Sequence, residues 1–278
     1  MIKTIIEDHW GIDVCNIEKI KALYSDVYVI NEKYVLKITD INSGKKQKII
    51  NLCINKAYEK KLPVPKIIRT KSGELLLAQN HKTYSMSSYL PGHPYDFKEC
   101  SLVRAAQTLA LFHLCFKKEL ELERQVRDVC GDVYPYDLSG LKCHNEDVKF
   151  VIKLIEQPVA LPIGLPRQIG HFDYTVGNLI FESDRMVGLI DFDIMRVSET
   201  ARDVAIALYG LTNSVAQQEV FLSSYNAINQ LSDVEIGTMY DLYVDEMKRK
   251  LIYTIRRYEM SSKPFDILFD RVKKMGLQ

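Results

Sequence analysis

The sequence predicts an α+β protein in which a small β-rich part precedes a larger, mainly helical part. Two observations support this prediction. Short β-branched and aromatic runs bounded by turn residues fill residues 1–90, whereas apolar residues recur at helical spacing over most of the chain beyond residue 100. A length of 278 residues fits one large domain or two lobes that share a cleft.

The β-rich part begins with two strand-like runs at residues 27–30 and 34–38, joined by a polar turn at residues 31–33. Such runs predict an antiparallel hairpin. Residues 44–61 contain no proline and carry apolar side chains at helical spacing, and Pro63 then forces an extended stretch. A helix is therefore expected between the hairpin and Pro63.

The remainder of the β-rich part is also extended in pattern. Residues 66–69 and 74–78 flank the turn-forming segment 71–73 and predict a second hairpin. Residues 84–90 then lead to a stop at a Pro-Gly pair. The expected order before residue 90 is thus strand, strand, helix, strand, strand.

Most of the chain beyond residue 100 predicts helices. Ser101 is a candidate N-cap for a helix with one apolar stripe. Residues 178–181 and 186–190 are the exception, since they predict a small hairpin within the helical part. An apolar stripe over residues 240–258 predicts a long helix near the end, and we expect its basic residues at 248–257 to form a solvated face.

Composition limits the classes of function. Apolar residues make up 47% of the chain and charged residues 26%, which is typical of a folded globular protein. The net charge of +1 gives no overall attraction to nucleic acid or to an anionic membrane. The six cysteines form no C-x-x-C pair, and no apolar run approaches 18 residues. We expect a cytoplasmic protein without nucleic-acid or membrane partners, and the sequence leaves its oligomeric state open.

A short segment carries the residues that phosphoryl transfer needs. Asp173 and Asn178 lie five positions apart in a predicted loop before a strand, and Asp191 ends the next strand. Transfer from ATP requires a carboxylate that accepts the proton of the acceptor hydroxyl, oxygen ligands for Mg²⁺ and a lysine on the phosphates. Asp173 supplies the base, Asn178 and Asp191 the metal ligands, and Lys37 the lysine. An isolated Asp-Asn pair would more simply cap turns.

The pattern His-x-Asp-x-x-x-x-Asn, followed 18 residues after its Asp by Ile-Asp-Phe, resembles the signature of the aminoglycoside phosphotransferases. Their relatives include choline, homoserine and spore-coat-associated kinases. Four further segments share the resemblance, at residues 35–37, 62–65, 111–113 and 202–205. It implies a two-lobe protein-kinase-like fold, with a nucleotide-binding lobe at residues 1–90 and a catalytic and substrate-binding lobe at residues 91–278.

The resemblance also implies ATP and Mg²⁺ as cofactors and a hydroxyl acceptor. Phe172 stands where protein kinases have an arginine that pairs with a phosphorylated loop. Asp203 follows Asp191 by only twelve positions, too few for a loop that presents a peptide, and Asp193 replaces the glycine of Asp-Phe-Gly. We therefore expect a small acceptor such as an aminoglycoside, choline, homoserine or a sugar-like compound.

Other residues are assigned to the nucleotide by analogy. No glycine-rich phosphate loop is present, so the backbone around Ser25 is expected to cover the phosphates. The connector that includes Ser88 and Leu90 is expected to bind adenine. Asn51 occupies the helix position where the family has a glutamate that pairs with the lysine. Either Asn51 hydrogen-bonds Lys37, or Asp191 alone holds it.

The remaining polar residues near the motif are expected to support the loop. His171 is expected to brace it through backbone hydrogen bonds, and Asp203 to tether it from the start of a helix. His113 fits a core or cleft-wall position. Asp193 has three comparable roles: the second metal position, contact with the substrate, or a turn cap. The alternative function is a non-catalytic nucleotide-binding scaffold, which Asn51 and the missing glycines favour but the complete Asp-Asn-Asp set disfavours.

Overall fold

In the computed structural model, the structure describes residues 1–20, 25–131, 153, 155–157 and 159–257. A five-stranded antiparallel sheet with two helices forms the smaller lobe, and the larger lobe is mainly helical with two small sheets. The predicted α+β class and two-lobe arrangement are confirmed. None of the helices in the described residues is long and apolar enough to span a membrane.

In the described part of the smaller lobe there are two α-helices and five strands. In chain order they are α1 (Ile2–Trp10), β1 (Ile17–Ile20), β2 (Asp26–Ile30), β3 (Tyr34–Asp40), α2 (Gly44–Glu59), β4 (Leu77–Gln79) and β5 (Lys82–Ser88). The strand order across the sheet is β1-β2-β3-β5-β4. The sequence prediction missed α1 and β1. Helix α1 buries Ile5, Ile6 and Trp10 in one cluster with the inward side chains of the sheet.

The first predicted hairpin is confirmed. Strands β2 and β3 pair antiparallel, with Ile30 opposite Tyr34 at the turn. Asn31 and Glu32, in the turn between the strands, both have positive φ, of 51° and 55°. Two consecutive left-handed residues give the turn the twist that suits a tight hairpin. This hairpin places Lys37 in the central strand of the sheet.

The second predicted hairpin is wrong in its pairing. Strand β4 pairs with β5 across a turn at Asn80 and His81, both with positive φ. The earlier segment forms only an isolated bridge, between Ile67 and Ser87. The Lys-Ser-Gly segment does make a turn, since Gly73 N donates to Thr70 O. The chain after this turn pairs with the following strand, because Asn and His also tolerate left-handed backbone.

The larger lobe follows a connector after β5. Its elements are β6 (His93–Pro94), α3 (Glu99–Phe116), α4 (Leu120–Cys130), β7 (Arg167–Gly170), β8 (Leu179–Glu182), β9 (Arg185–Leu189), β10 (Arg196–Glu199), α5 (Thr200–Leu211), α6 (Val215–Asn226) and α7 (Asp233–Arg257). Strands β6, β8 and β9 form one sheet, and β7 pairs with β10. The predicted hairpin within the helical lobe is confirmed as β8 and β9.

The predicted start of α3 needs correction, whereas the predicted apolar face of α7 is buried. Helix α3 begins at Glu99, and Ser101 lies inside it, where its hydroxyl donates to Asp96. The apolar stripe of α7 is buried at Tyr243, Met247 and Leu251. Tyr258, which the predicted stripe included, lies outside the described residues.

The apolar core is divided unequally between the lobes. One cluster joins α1 to the five-stranded sheet. The other fills the larger lobe and also takes in the buried face of α2, formed by Ile50, Cys53, Ile54 and Ala57. Helix α2 therefore packs against the larger lobe, although in sequence it lies between β3 and β4 of the smaller lobe.

Candidate active site

The predicted catalytic residues lie on two adjacent segments of the larger lobe. One is the loop between β7 and β8, which contains Asp173 and Asn178, and the other follows β9 and contains Asp191. Pairing of β8 with β9 brings the segments together. Ile190 N donates to Asn178 O at 3.0 Å, and His171 Nε2 lies 3.0 Å from Ile190 O.

Asp203, in the first turn of α5, holds the start of the loop between β7 and β8. This loop is called the catalytic loop below because it carries the predicted base, Asp173. Its buried carboxylate accepts the backbone N–H groups of His171 at 2.6 Å and Phe172 at 2.7 Å. Burial alone would raise the pKa of Asp203, but the hydrogen bond and charge of His113 and the loop N–H groups outweigh burial and lower it. A side chain at residue 170 would lie 2.7 Å from this carboxylate, so Gly170 is needed for the close approach.

His171 joins the two segments. Its Nδ1 accepts from Asp173 N at 3.2 Å while its Nε2 faces the Ile190 carbonyl, which fits a neutral imidazole protonated at Nε2. Burial lowers the pKa of His171, and the neighbouring carboxylates only partly oppose this. His171 therefore remains uncharged at neutral pH and links Asp173 to the end of the neighbouring strand.

His113 is a core residue of the same network. Its Nε2 lies 3.1 Å from Asp203 Oδ2, and its Nδ1 lies 2.6 Å from the hydroxyl of Tyr225. Tyr225 in turn accepts from Asn229 Nδ2 at 2.9 Å. Of the two positions left open for His113, the structure shows the buried core one.

Asn178 is fixed by the predicted base. Its Nδ2 donates to the backbone carbonyl of Asp173 at 2.9 Å and to Asp173 Oδ2 at 2.8 Å. Both amide hydrogens are thereby used, so the amide oxygen remains as the available donor atom for a cation. The Asp173 side chain is 31% exposed, which leaves it open to an acceptor molecule.

Asp191 has a left-handed backbone, with φ of 62°. The surrounding protein partly desolvates its carboxylate, and Asp193 and Asp173 repel it, which together raise the pKa of Asp191 against the opposing charge of Lys37. Binding of a cation stabilises a carboxylate that lies near other negative charges, because it offsets their repulsion. The residues thus fit a hard divalent cation such as Mg²⁺, with the Asp191 carboxylate and the Asn178 amide oxygen as ligands.

The described residues contain no group of three or more His, Cys, Asp or Glu side chains arranged to hold a metal. Independently of this, Mg²⁺ in proteins is usually held by one or two carboxylates together with substrate phosphates. A cation held by Asp191 and Asn178 would need further oxygen ligands from a phosphate chain. The donor set therefore suits a metal that arrives with a nucleotide.

Lys37 crosses from the smaller lobe to the larger one. Its ammonium forms a direct ion pair with the carboxylate of Asp193, and both side chains are partly exposed. This gives Asp193 a position that none of its three predicted roles includes. It also places the predicted phosphate lysine within the electrostatic reach of Asp191.

The predicted contact between Asn51 and Lys37 is wrong in this structure. Asn51 is buried, and its Nδ2 donates to Leu75 O at 2.9 Å and to Ser85 Oγ at 2.8 Å. Its Oδ1 accepts from Gln47. Ser85 stands opposite Lys37 across the β3–β5 pair, so Asn51 reaches a neighbour of the lysine. The amide satisfies buried polar groups of its own lobe, and Asp193 rather than Asp191 pairs with Lys37.

The residues predicted to contact the nucleotide differ in how far their polar groups are already hydrogen-bonded. Ser88 N donates to Lys66 O at 2.8 Å, and Ser88 Oγ accepts from Lys66 N at 2.9 Å, so the N–H of Ser88 is already used. The contact between the Ser88 backbone and adenine stays a prediction, in which this N–H takes no part. Leu90 lies on the connector, with its side chain close to Gly188. Ser25 directly precedes β2, while its neighbour Tyr24 lies outside the described residues.

The sequence prediction of a solvated basic face on α7 is wrong for residues 248–250. Lys248 is 2% exposed and donates to Gln157 O at 2.8 Å, and Arg249 Nε contacts Asp245 at 2.7 Å. Lys250 reaches the catalytic loop, with its Nζ 3.5 Å from Asp173 Oδ1. Helical periodicity places these residues off the main apolar stripe, but no local signal indicates their partners in other elements.

A buried ionic cluster supports the loop from behind. Arg196 lies 4.0 Å from the centre of the Phe172 ring and contacts Glu246 at 2.7 Å. Arg202 contacts Asp245 at 2.6 Å and Glu199 at 2.8 Å. The cluster connects β10, α5 and α7 beneath Phe172, whose own φ of 60° is unusual for a bulky residue.

Comparisons with known proteins agree on the class of protein. The sequence profile of the phosphotransferase enzyme family matches residues 16–233. A search of curated protein sequences gives no match. Several solved structures share the fold at low sequence identity.

The amicoumacin kinase hAmiN, in complex with AMP-PNP, Ca²⁺ and Ami, has a TM-score of 0.70 and 16% identity over 93% of this chain and 86% of that one. Spectinomycin phosphotransferase APH(9)-Ia, in complex with ADP and spectinomycin, has a TM-score of 0.67 and 13% identity over 99% and 93%.

The GDP and kanamycin complex of APH(2")-IIia has a TM-score of 0.65 and 11% identity over 99% and 97% of the two chains. At these identities the structures support the fold, and the family assignment rests on the sequence match. The fold, the loop geometry and the match over most of the chain agree, and the chain belongs to the phosphotransferase enzyme family.

Proposed function

We propose that this protein is an ATP- and Mg²⁺-dependent kinase that transfers the γ-phosphoryl group to a hydroxyl of a small molecule. The observation that carries the proposal is the Asp173–Asn178 pair beside Asp191. One carboxylate stays open to an acceptor, an amide is turned to offer its oxygen, and a second carboxylate is crowded by negative charge. Together these features supply the parts that phosphoryl transfer requires.

ATP is proposed to occupy the cleft between residues 1–90 and 91–278, with Lys37 on its phosphates and Asp191 and Asn178 on Mg²⁺. The metal, when bound, neutralises phosphate charge and fixes the phosphate chain. Lys37 must then exchange its contact with Asp193 for phosphate oxygens. The connector near Leu90 offers backbone groups to adenine, and the backbone near Ser25 lies at the start of β2 for the phosphates.

In this proposal, Asp173 of the loop carries the proton transfer. Asp173 orients the acceptor hydroxyl and takes its proton as the oxygen forms a bond to the γ-phosphorus. The bond from that phosphorus to the bridging oxygen breaks, and its electron pair leaves with ADP. His171 and Asp203 touch neither reactant in this scheme; they hold the backbone that aims Asp173.

The acceptor is proposed to be a small hydroxyl compound. The solved structures named above bind Ami, spectinomycin and kanamycin, and these supply the first compounds to test. Choline, homoserine and simple sugars belong in the same panel, because the proposed base requires only a hydroxyl and makes no demand on the rest of the molecule.

A non-catalytic scaffold is the competing function. The sequence feature behind it is Asn51, which stands where the family has a glutamate and hydrogen-bonds Leu75 and Ser85. The aligned Asp173, Asn178 and Asp191 weigh against it, because nucleotide binding alone does not require a base beside the metal ligands.

The test measures ADP formation with Mg²⁺-ATP across the acceptor panel, with the Asp173→Asn protein as the matched blank. We expect acceptor-dependent ADP formation by the wild type only. Equal rates for the two proteins would contradict Asp173 as the base. Binding of Mg²⁺-ATP without ADP formation above the blank for every acceptor would favour the scaffold.

A further inference from the structure

The three consecutive basic residues 248–250 of α7 divide into two groups by their contacts. Lys248 and Arg249 are satisfied by Gln157 and Asp245, away from the catalytic loop. Lys250 instead contacts the loop at two points: its Nζ lies 3.3 Å from the carbonyl of Phe172 and 3.5 Å from Asp173 Oδ1. One helix therefore contributes two basic residues to its own packing and a third to the loop.

The two Lys250 contacts bear directly on the orientation of Asp173. The Phe172 carbonyl belongs to the peptide bond that leads into Asp173, and the N–H on the other side of Phe172 is held by Asp203. The two carboxylate oxygens of Asp173 face different partners, because Oδ2 accepts from Asn178 and Oδ1 faces Lys250. Asn178 and Lys250 thus hold the Asp173 carboxylate through different oxygens, Asn178 through Oδ2 and Lys250 through Oδ1.

Charge gives Lys250 a second role. During transfer, the phosphoryl group approaches a hydroxyl that is hydrogen-bonded to Asp173, so two negative groups come together. A fixed cation in a partly desolvated position offsets this repulsion more effectively than bulk water. The Lys250 side chain is 18% exposed and is anchored at its tip, which keeps its charge in place before the reactants bind.

On this geometry we propose that Lys250 is a positioning residue of the phosphoryl-transfer site, which orients Asp173 and places positive charge beside the transferring phosphoryl group. The inference rests on the proposed function, since it assumes transfer at Asp173. It assigns to α7 a part in the chemistry in addition to its part in the core.

The test uses Mg²⁺-ADP with and without aluminium fluoride, which mimics the phosphoryl group in transfer and needs no knowledge of the acceptor. Calorimetry gives the affinity for Mg²⁺-ADP alone and the gain in affinity when aluminium fluoride is added. We expect Lys250→Met to bind Mg²⁺-ADP within about twofold of the wild type, because Lys250 faces Asp173 and not the proposed nucleotide site.

The gain with aluminium fluoride should fall by about tenfold to a hundredfold in Lys250→Met. This is below the roughly 10²–10³ in rate that loss of one oxyanion donor costs, since Lys250 is not fully shielded. Lys250→Arg should restore most of the gain, because it keeps the charge. Lys250→Gln can still donate to the Phe172 carbonyl but lacks the charge, so its gain should fall as in Lys250→Met. If Lys250→Met does not fold, Lys250→Gln tests the role of Lys250 in its place.

Lys248→Met is the matched control on the same helix. It removes a buried ammonium that donates to Gln157, so it should lower the melting temperature while leaving the gain with aluminium fluoride unchanged. An unchanged gain in Lys250→Met or Lys250→Gln would overturn the role of Lys250. If the wild type shows no gain at all, the phosphoryl-transfer function itself is contradicted.

Discussion

The two sides of the proposed cleft are held by different kinds of contact. On the larger lobe, the catalytic loop is fixed by a fully buried carboxylate, Asp203, which accepts two backbone N–H groups and contacts His113. On the smaller lobe, Lys37 forms an ion pair with Asp193, and both side chains are partly exposed. One side is fixed before any ligand binds, and the other can exchange partners.

The difference follows from what each side is proposed to do. A base must be aimed in advance, since reorientation during the reaction raises the barrier. The lysine must exchange one negative partner for another when phosphates arrive, and a partly exposed ion pair is weak enough to permit this. The predictions below test this contrast, beginning with the largest effect.

Asp173→Asn should produce the largest change in turnover. Loss of a positioned general base typically lowers the rate by about 10²–10⁴. The melting temperature should change little, because Asp173 is partly exposed and an asparagine oxygen can still accept from Asn178. Steady-state kinetics with any accepted compound give the rate, and near-normal turnover would remove Asp173 from the mechanism.

Asp203→Ala should produce the largest loss of stability. It leaves the N–H groups of His171 and Phe172 buried without their acceptor, and each such group costs about 1–3 kcal/mol. Urea denaturation measures the change in free energy of unfolding. A loss below about 1 kcal/mol would show that water or a rearranged loop replaces the carboxylate.

Asp191→Asn should change the metal dependence of the reaction. It removes an anionic oxygen from a cation that few protein groups hold, so turnover should fall and excess Mg²⁺ should recover part of it. The measurement is turnover against Mg²⁺ concentration, with Asp173→Asn as the variant that excess metal does not rescue. An identical Mg²⁺ profile in the wild type and Asp191→Asn would exclude Asp191 as a ligand.

The larger lobe should be sensitive to acid through Glu199. Burial alone would raise the pKa of Glu199, but Arg202 and the Ser198 hydroxyl outweigh burial and lower it from 4.5 to about 2. The stability that this group contributes is therefore complete above pH 4.5 and is lost as the pH falls toward 2. Urea denaturation across this range should show a smaller pH dependence for Glu199→Gln than for the wild type, and equal slopes would contradict the shift.

Asp193→Ala should have the smallest effect on stability. An ion pair with two partly exposed side chains contributes about 0–1 kcal/mol. The free energy of unfolding without nucleotide, compared with that of Asp203→Ala, gives the contrast between the two sides in one assay. A loss as large as that of Asp203→Ala would show that the Lys37 side is fixed as firmly as the loop.

The sequence predicted the elements that depend on neighbouring residues, such as hairpins around polar turns. The β2–β3 and β8–β9 hairpins follow from strand-like runs around polar turns, and both are confirmed. The family was predicted from the resemblance of the segment with Asp173, Asn178 and Asp191 to a known signature, and it is confirmed. The β4 pairing was missed because two turn-forming segments, at Gly73 and Asn80, competed and the choice depends on packing.

The partners of charged residues were the part that the sequence did not indicate. Lys37 and Asp193 are 156 positions apart, and Lys250 and Asp173 are also distant in sequence. Nothing in residue spacing distinguishes Asp193 from Asp191 as the partner of a lysine in another lobe. Likewise, the sequence placed Asn51 near β3, which carries Lys37. It did not indicate that the Asn51 amide would hydrogen-bond Leu75 and Ser85.

The packing of α2 has a consequence for any attempt to divide the chain. Its apolar face belongs to the core cluster of the larger lobe, although the helix lies within the first 90 residues. A fragment cut after residue 90 would carry the five-stranded sheet and also expose Ile50, Cys53, Ile54 and Ala57 to water. We therefore expect such a fragment to aggregate, and the two lobes are better studied as one polypeptide.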